Sequence, residues 1–183
     1  MKQRLIIQTS PCHTGSTLLV NILYGLFEHL YTKKIISIWT NNWDSYFEKN
    51  EIIIIKCHNT NINELIFKYG DKYDMYFCCS ERNEYNYLIN IEYKNYKNVL
   101  IIEYNNLLES ETNTLENIVD YVYENINMLL KDKKIKYNTL NSIDRIKSMN
   151  LRYNEIINQK YDFNYIDPFY EIHGNHKNRK KTP

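Results

Sequence analysis

The run Ile52-Ile53-Ile54-Ile55 constrains this chain more than any other stretch. Consecutive β-branched side chains leave no polar face, so the run predicts a strand buried on both sides, as found in parallel sheets sheathed by helices. Leu5-Ile6-Ile7, Lys34 to Trp39, Tyr73 to Cys79 and Val99 to Tyr104 read as further strands. Between them, Leu18, Leu19, Ile22, Leu23 and Leu26 keep helical spacing up to about Tyr31. Asn61 to Tyr69 reads as a short helix stopped at Gly70, and residues 83 to 93 as another. From Thr112 onward, Leu115, Ile118, Val119, Val122, Ile126, Leu129 and Leu130 predict long amphipathic helices. The expected fold is therefore α/β: a mostly parallel central sheet with helices on both faces and a helical C-terminal part, in one domain spanning 1–183.

In such sheets ligands gather beyond the carboxyl ends of the strands, and the first strand leads into a segment suited to that role. Ser10-Pro11-Cys12-His13-Thr14-Gly15-Ser16-Thr17 links it to the first helix. Gly15 allows close backbone approach, and the amides opening the helix attract an anion. The segment has the length of a Walker A loop, with Gly15 sixth and Thr17 eighth, but Ser16 stands where that motif needs Lys. The structural alternative is a tight strand-to-helix turn in which Ser and Thr cap the helix.

The net charge of +1 over 183 residues gives no general attraction to nucleic acid or an anionic membrane, so any anion site must be local. Neither a long apolar run nor a secretory leader is evident, which predicts a soluble cytoplasmic protein. Cys12, Cys57, Cys78 and Cys79 lack CxxC spacing and suit a reducing compartment. Cys57, Cys78 and Cys79 read as small apolar filling, Cys12 as the reactive thiol. Residues 173–183 form a basic tail with little apolar content and read as a solvated end.

Four ordered segments resemble the sulfotransferase family, whose fold is P-loop NTPase-like. His13-Thr14-Gly15-Ser16-Thr17 resembles its phosphosulfate-binding loop, with His13 in the place usually held by Lys or Arg. Lys56-Cys57-His58 resembles the family's Lys-Thr-His, and Tyr76 to Asn83 the strand leading to an Arg-Asn pair. Ile101 to Asn105 resembles the strand ending in Tyr-Glu-Asp, here Tyr-Asn-Asn. The likeness covers residues 4 to about 108; the family's late Arg-Lys-Gly signature is absent.

The resemblance implies transfer of a sulfuryl group from 3′-phosphoadenosine 5′-phosphosulfate to a hydroxyl acceptor (carbohydrate, phenol or tyrosine), with no metal required. It implies His13 and His58 as catalytic residues, His13 facing the leaving oxygen and His58 taking the acceptor's proton, for which an imidazole pKa of about 6.5 is convenient. It assigns His13, Thr14, Gly15, Ser16, Thr17, Arg82, Asn90, Lys177 and Arg179 to the nucleotide, Arg82 to its 3′-phosphate and Asn90 to a place usually held by Ser. Strand-end geometry gathers His13, His58, Arg82 and Asn105 on one rim. The plainer readings are an imidazole bonded to a neighbouring loop for His58 and an ion pair with Glu81 or Glu84 for Arg82. Cys12-His13 and Cys57-His58 also offer a zinc ligand set, though adjacent residues point apart. Trp39, Trp43, Tyr46 and Phe47 are either acceptor-pocket walls or core. The rival functions are a non-catalytic nucleotide- or phosphate-binding relative and a divergent P-loop kinase.

Overall fold

The computed structural model describes residues 2–11, 14–30, 36–39, 53–58, 60–86, 88–109, 112–130, 144, 147–148 and 150–155. His13, Cys12, the aromatic segment 40–50 and the basic tail with Lys177 and Arg179 lie outside them.

The strands are β1 (Gln3–Ser10), β2 (Ile36–Trp39), β3 (Ile53–His58), β4 (Tyr73–Glu81) and β5 (Val99–Glu103). They form one five-stranded sheet in the order β2-β3-β1-β4-β5, with every pairing parallel. The helices are α1 (Ser16–Leu30), α2 (Ile62–Tyr69), α3 (Tyr104–Leu108) and α4 (Thr112–Leu130), and residues 150–155 are also helical. β1 is the centre of the sheet, and β3 lies between β1 and β2. In β3, Ile54 and Ile55 are both fully buried, each in a different core cluster, as expected of a strand covered on both faces.

The order of the strands dictates which helix covers which face. A right-handed connection carries the chain from β1 through α1 to β2 on one side of the centre, then from β3 through α2 to β4 on the other. Moving in opposite directions places α1 and α2 on opposite faces. Even-numbered β1 residues accordingly join the α1 and α4 core, where Ile6 packs with Leu19, Leu23, Leu115 and Val119. Odd-numbered ones join the α2 core, where Leu5 and Ile7 pack with Ile62, Leu65, Phe77 and Tyr93. α2 is capped by Asn61, whose side chain accepts from the Glu64 amide, and it stops at Gly70.

Residues 83 to 93 differ from the single helix expected. Asn83–Tyr85 and Ile91–Asn95 form two short 3-10 turns, with Asn86 left-handed at φ 56°. Buried Glu81 supplies the physical reason: its Oε2 accepts from the Ile89 amide at 3.3 Å and its Oε1 from Lys94 Nζ at 3.0 Å. An α-helix would need the Ile89 amide for its own ladder.

Cys57, Cys78 and Cys79 fill the core as expected. Burial pushes all three thiols above the ordinary value of 9.0, and Cys79 up to about 12, with the neighbouring Cys57 adding to it. Their folded-state pKa values are raised, so the stability they contribute is complete below pH 9.0 and is lost as pH rises toward about 12. Each thiol that ionises only on unfolding costs about 1.4 kcal/mol per pH unit in that window. Urea titrations at pH 8 and pH 10.5 should show a lower midpoint at the higher pH; equal midpoints would contradict this burial. At pH 8 these three thiols should react with a thiol reagent only on unfolding.

Candidate anion-binding site

At the carboxyl edge of the sheet, β1 ends in a loop held from beneath by buried hydroxyls. Ser10 Oγ accepts from Gln8 Nε2 at 2.7 Å and from the Ser80 amide at 2.8 Å. With its acceptor positions taken, Ser10 must donate to Ser80 Oγ, 3.1 Å away. Ser80 in turn donates to Thr14 Oγ1 at 3.2 Å, and Thr14 donates to the Pro11 carbonyl at 2.8 Å. The relay therefore runs in one direction from β1, through β4, into the loop. Gln8, Ser10, Ser80 and Thr14 are all buried. Thr14 thus acts below the loop, where its hydroxyl faces Ser80.

Gly15 has φ +80°, a conformation that strains L side chains, and the Tyr104 ring lies against it. A Cβ here would come within 2.6 Å of Tyr104 Cε2. α1 starts at Ser16, and the Gly15 carbonyl accepts the first helical bond from the Leu19 amide at 3.0 Å. The amides of Ser16, Thr17 and Leu18 precede the first residue with an intrahelical acceptor, which makes this turn a partial positive charge. Thr17 Oγ1 accepts from Lys56 Nζ at 2.6 Å, so β3 delivers an ammonium group to the same turn.

The Arg82 guanidinium lies over the same Tyr104 ring, 4.8 Å from its centroid. Tyr104 therefore touches both Gly15 and Arg82. Its Nη2 lies 3.7 Å from Glu84 Oε2, the ion pair anticipated as the plainer reading, and Asn105 Nδ2 donates to the other oxygen of Glu84. Burial raises the Tyr104 phenol, opposed by its hydrogen bond with Tyr153 and by the charge of Arg82.

His58 sits opposite Ser10 in the β1–β3 register, on the α1 side of the sheet with Lys56. Its Nδ1 is 3.4 Å from the Ser10 carbonyl. A carbonyl only accepts, so this contact places a proton on Nδ1. The plainer reading of His58 has its imidazole bonded to a neighbouring loop; the partner carbonyl belongs instead to Ser10, the last residue of β1. Cys57 lies in the opposite core, so Cys57 and His58 do not converge on one ion.

Among the residues singled out from the sequence, the structure thus gathers Thr14, Gly15, Ser16, Thr17, His58 and Arg82 at one edge. Asn90 caps the Glu92 amide through its Oδ1 at 3.1 Å and lines a cleft with Ser10, Pro11 and Tyr93, so it borders the base of the same loop. Three contributors had no assigned role in the sequence reading: Lys56, Ser80 and Tyr104. A lysine interrupting the apolar β3 run near its carboxyl end was the available signal for the first. The other two depend on contacts between distant strands.

Replacing Gly15 with Ala should lower stability by about 2–4 kcal/mol, from backbone strain and displacement of a buried ring. In denaturant unfolding, Gly15→Ala combined with Tyr104→Ala should lose less than the sum of the single variants. Strict additivity would count against the packing of Tyr104 on Gly15.

No family model matches this chain, and no curated protein is significantly similar to it in sequence.

Proposed function

We propose that this chain is a cytoplasmic sulfotransferase on a P-loop-like α/β scaffold with a helical C-terminal part, taking 3′-phosphoadenosine 5′-phosphosulfate as donor and a hydroxyl compound as acceptor. The observation that carries this reading is the 2.6 Å contact between Lys56 Nζ and Thr17 Oγ1. It brings a cation to the loop from a neighbouring strand, where the loop's own sequence has Ser16 instead of Lys. Gly15 at φ +80°, its Tyr104 floor and the opening amides of α1 fit the phosphate side of such a donor.

In this reading the amides of Ser16 and Thr17 hold the donor's 5′ oxygens, and Lys56 offsets charge on the leaving side. Arg82 binds the 3′-phosphate, exchanging its ion pair with Glu84 for that contact. Lys177 and Arg179 would add to the same phosphate. The donor supplies a sulfur–oxygen bond that breaks as the acceptor oxygen bonds to sulfur. His58 Nε2 takes the proton from the acceptor hydroxyl, with the Ser10 carbonyl holding the ring through Nδ1. His13, next to Thr14, would face the leaving oxygen. The kinase alternative fits less well: magnesium on Thr17 Oγ1 would sit beside the Lys56 ammonium bonded to that atom.

Calorimetry with adenosine 3′,5′-bisphosphate should show binding, weakened about ten- to a hundredfold in Arg82→Ala and in Lys56→Ala. Absence of binding by the folded protein would overturn the donor assignment, and magnesium-dependent ATP turnover would favour the kinase. Binding without transfer to any of a broad acceptor panel would favour the non-catalytic reading.

His58→Asn should cut sulfuryl transfer by about 10² to 10⁴ while sparing bisphosphate affinity. Undiminished turnover would remove His58 from the role of base.

A further inference from the structure

Arg82 leaves β4 in extended backbone, and the chain passes at once into the 3-10 turn Asn83–Tyr85. That turn returns Glu84 to the guanidinium, with Nη2 and Oε2 3.7 Å apart. The second oxygen of Glu84 accepts from Asn105 Nδ2. Asn105 follows Tyr104 in the first turn of α3, so two consecutive residues serve the pair: one sets its ring against the guanidinium and the other holds the carboxylate. The two partners differ in freedom. The Arg82 side chain is 13% exposed and that of Glu84 46%. An exchange of partners therefore moves the carboxylate, already half in water, and leaves the guanidinium in place.

We propose that Glu84 is a built-in competitor for Arg82: its carboxylate holds the guanidinium before nucleotide arrives, weakens binding of the 3′-phosphate, and retakes Arg82 as the bisphosphate left after transfer departs. This role for Glu84 rests on Arg82 being the 3′-phosphate ligand. A carboxylate and a phosphate engage a guanidinium through the same charge-assisted hydrogen bonds, so each contact Glu84 makes is one the phosphate must take over. Glu84 is two residues from Arg82 and steadied by Asn105, so it competes at the high effective concentration of a tethered group. An ion pair this exposed is weak enough for a phosphate dianion to displace, and the displaced carboxylate stays near enough to repel the ligand; together these weaken binding about three- to tenfold. Donor and bisphosphate product carry the same 3′-phosphate, so weakening both alike leaves the chemical barrier unchanged and speeds product departure, a step that limits turnover in many enzymes. The ion-pair and phosphate readings of Arg82 are then two states of one residue.

The test is calorimetry of the full chain with adenosine 3′,5′-bisphosphate and, as a ligand lacking the 3′-phosphate, adenosine 5′-monophosphate. Glu84→Gln removes the charge and keeps an oxygen for Asn105, so the turn is retained. It should bind the bisphosphate about three- to tenfold tighter, release it more slowly by a similar factor in stopped-flow displacement, and bind the monophosphate as the parent does within about twofold. Glu103→Gln controls for charge alone: Glu103 ends β5 and accepts from Asn83 Nδ2 at 2.7 Å. This control should change bisphosphate affinity by less than about twofold. The role of Glu84 is overturned, with the nucleotide reading intact, if Glu84→Gln binds the bisphosphate no tighter than the parent, if its dissociation rate is unchanged, or if the monophosphate or the Glu103→Gln variant shows equal tightening. Absence of bisphosphate binding by parent and Glu84→Gln alike overturns both.

Discussion

The site depends on satisfying hydroxyls that have been removed from water. Ser10, Ser80 and Thr14 sit where solvent cannot reach, and each must find its partners within the protein. Only one direction of donation satisfies all of them, ending on the Pro11 carbonyl. The consequence is a loop tied to two strands from below, while its upper side holds the amides opening α1. Rigidity of this kind is what an anion cradle requires, because donors that need no rearrangement lose little on binding.

Two packing contacts extend this base outward. Tyr104 fills the space left by the missing side chain of Gly15, and the Arg82 guanidinium lies over its ring. Lys56 reaches Thr17 because residues of even number on β3 share a face with α1. Cations thus arrive from strands far apart in sequence, although the chain as a whole is nearly neutral. The same alternation sends Thr9, Cys57 and Cys79 to the other side, where the α2 core and the cleft lie.

Much of the architecture was legible because periodicity reports burial directly. Ile54 and Ile55, adjacent and both apolar, require cover on opposite faces, and the structure provides it. Asn61 and Gly70 mark the ends of α2 by local backbone chemistry. The 83–93 segment was misread as one helix because its pattern carries no sign of Glu81, whose carboxylate competes for the Ile89 amide across a fold in the chain. Arg82 and His58 were legible as residues at strand ends. Their actual neighbours, Tyr104 and the Ser10 carbonyl, come from other strands and leave no local trace.

By itself the sequence determined an α/β chain with buried parallel strands and a Gly-containing turn after the first, since these follow from side-chain shape and spacing. It also supplied the candidate groups Arg82, His58 and the Thr14 to Thr17 loop. Only the tertiary structure decided that Lys56 reaches the loop, that Ser80 supports it, that Tyr104 touches both Gly15 and Arg82, and that Asn90 lines a cleft with Ser10 and Pro11. The physical reason is that strand order and side-chain parity set which distant residues share a face, and both arise from packing the whole sheet.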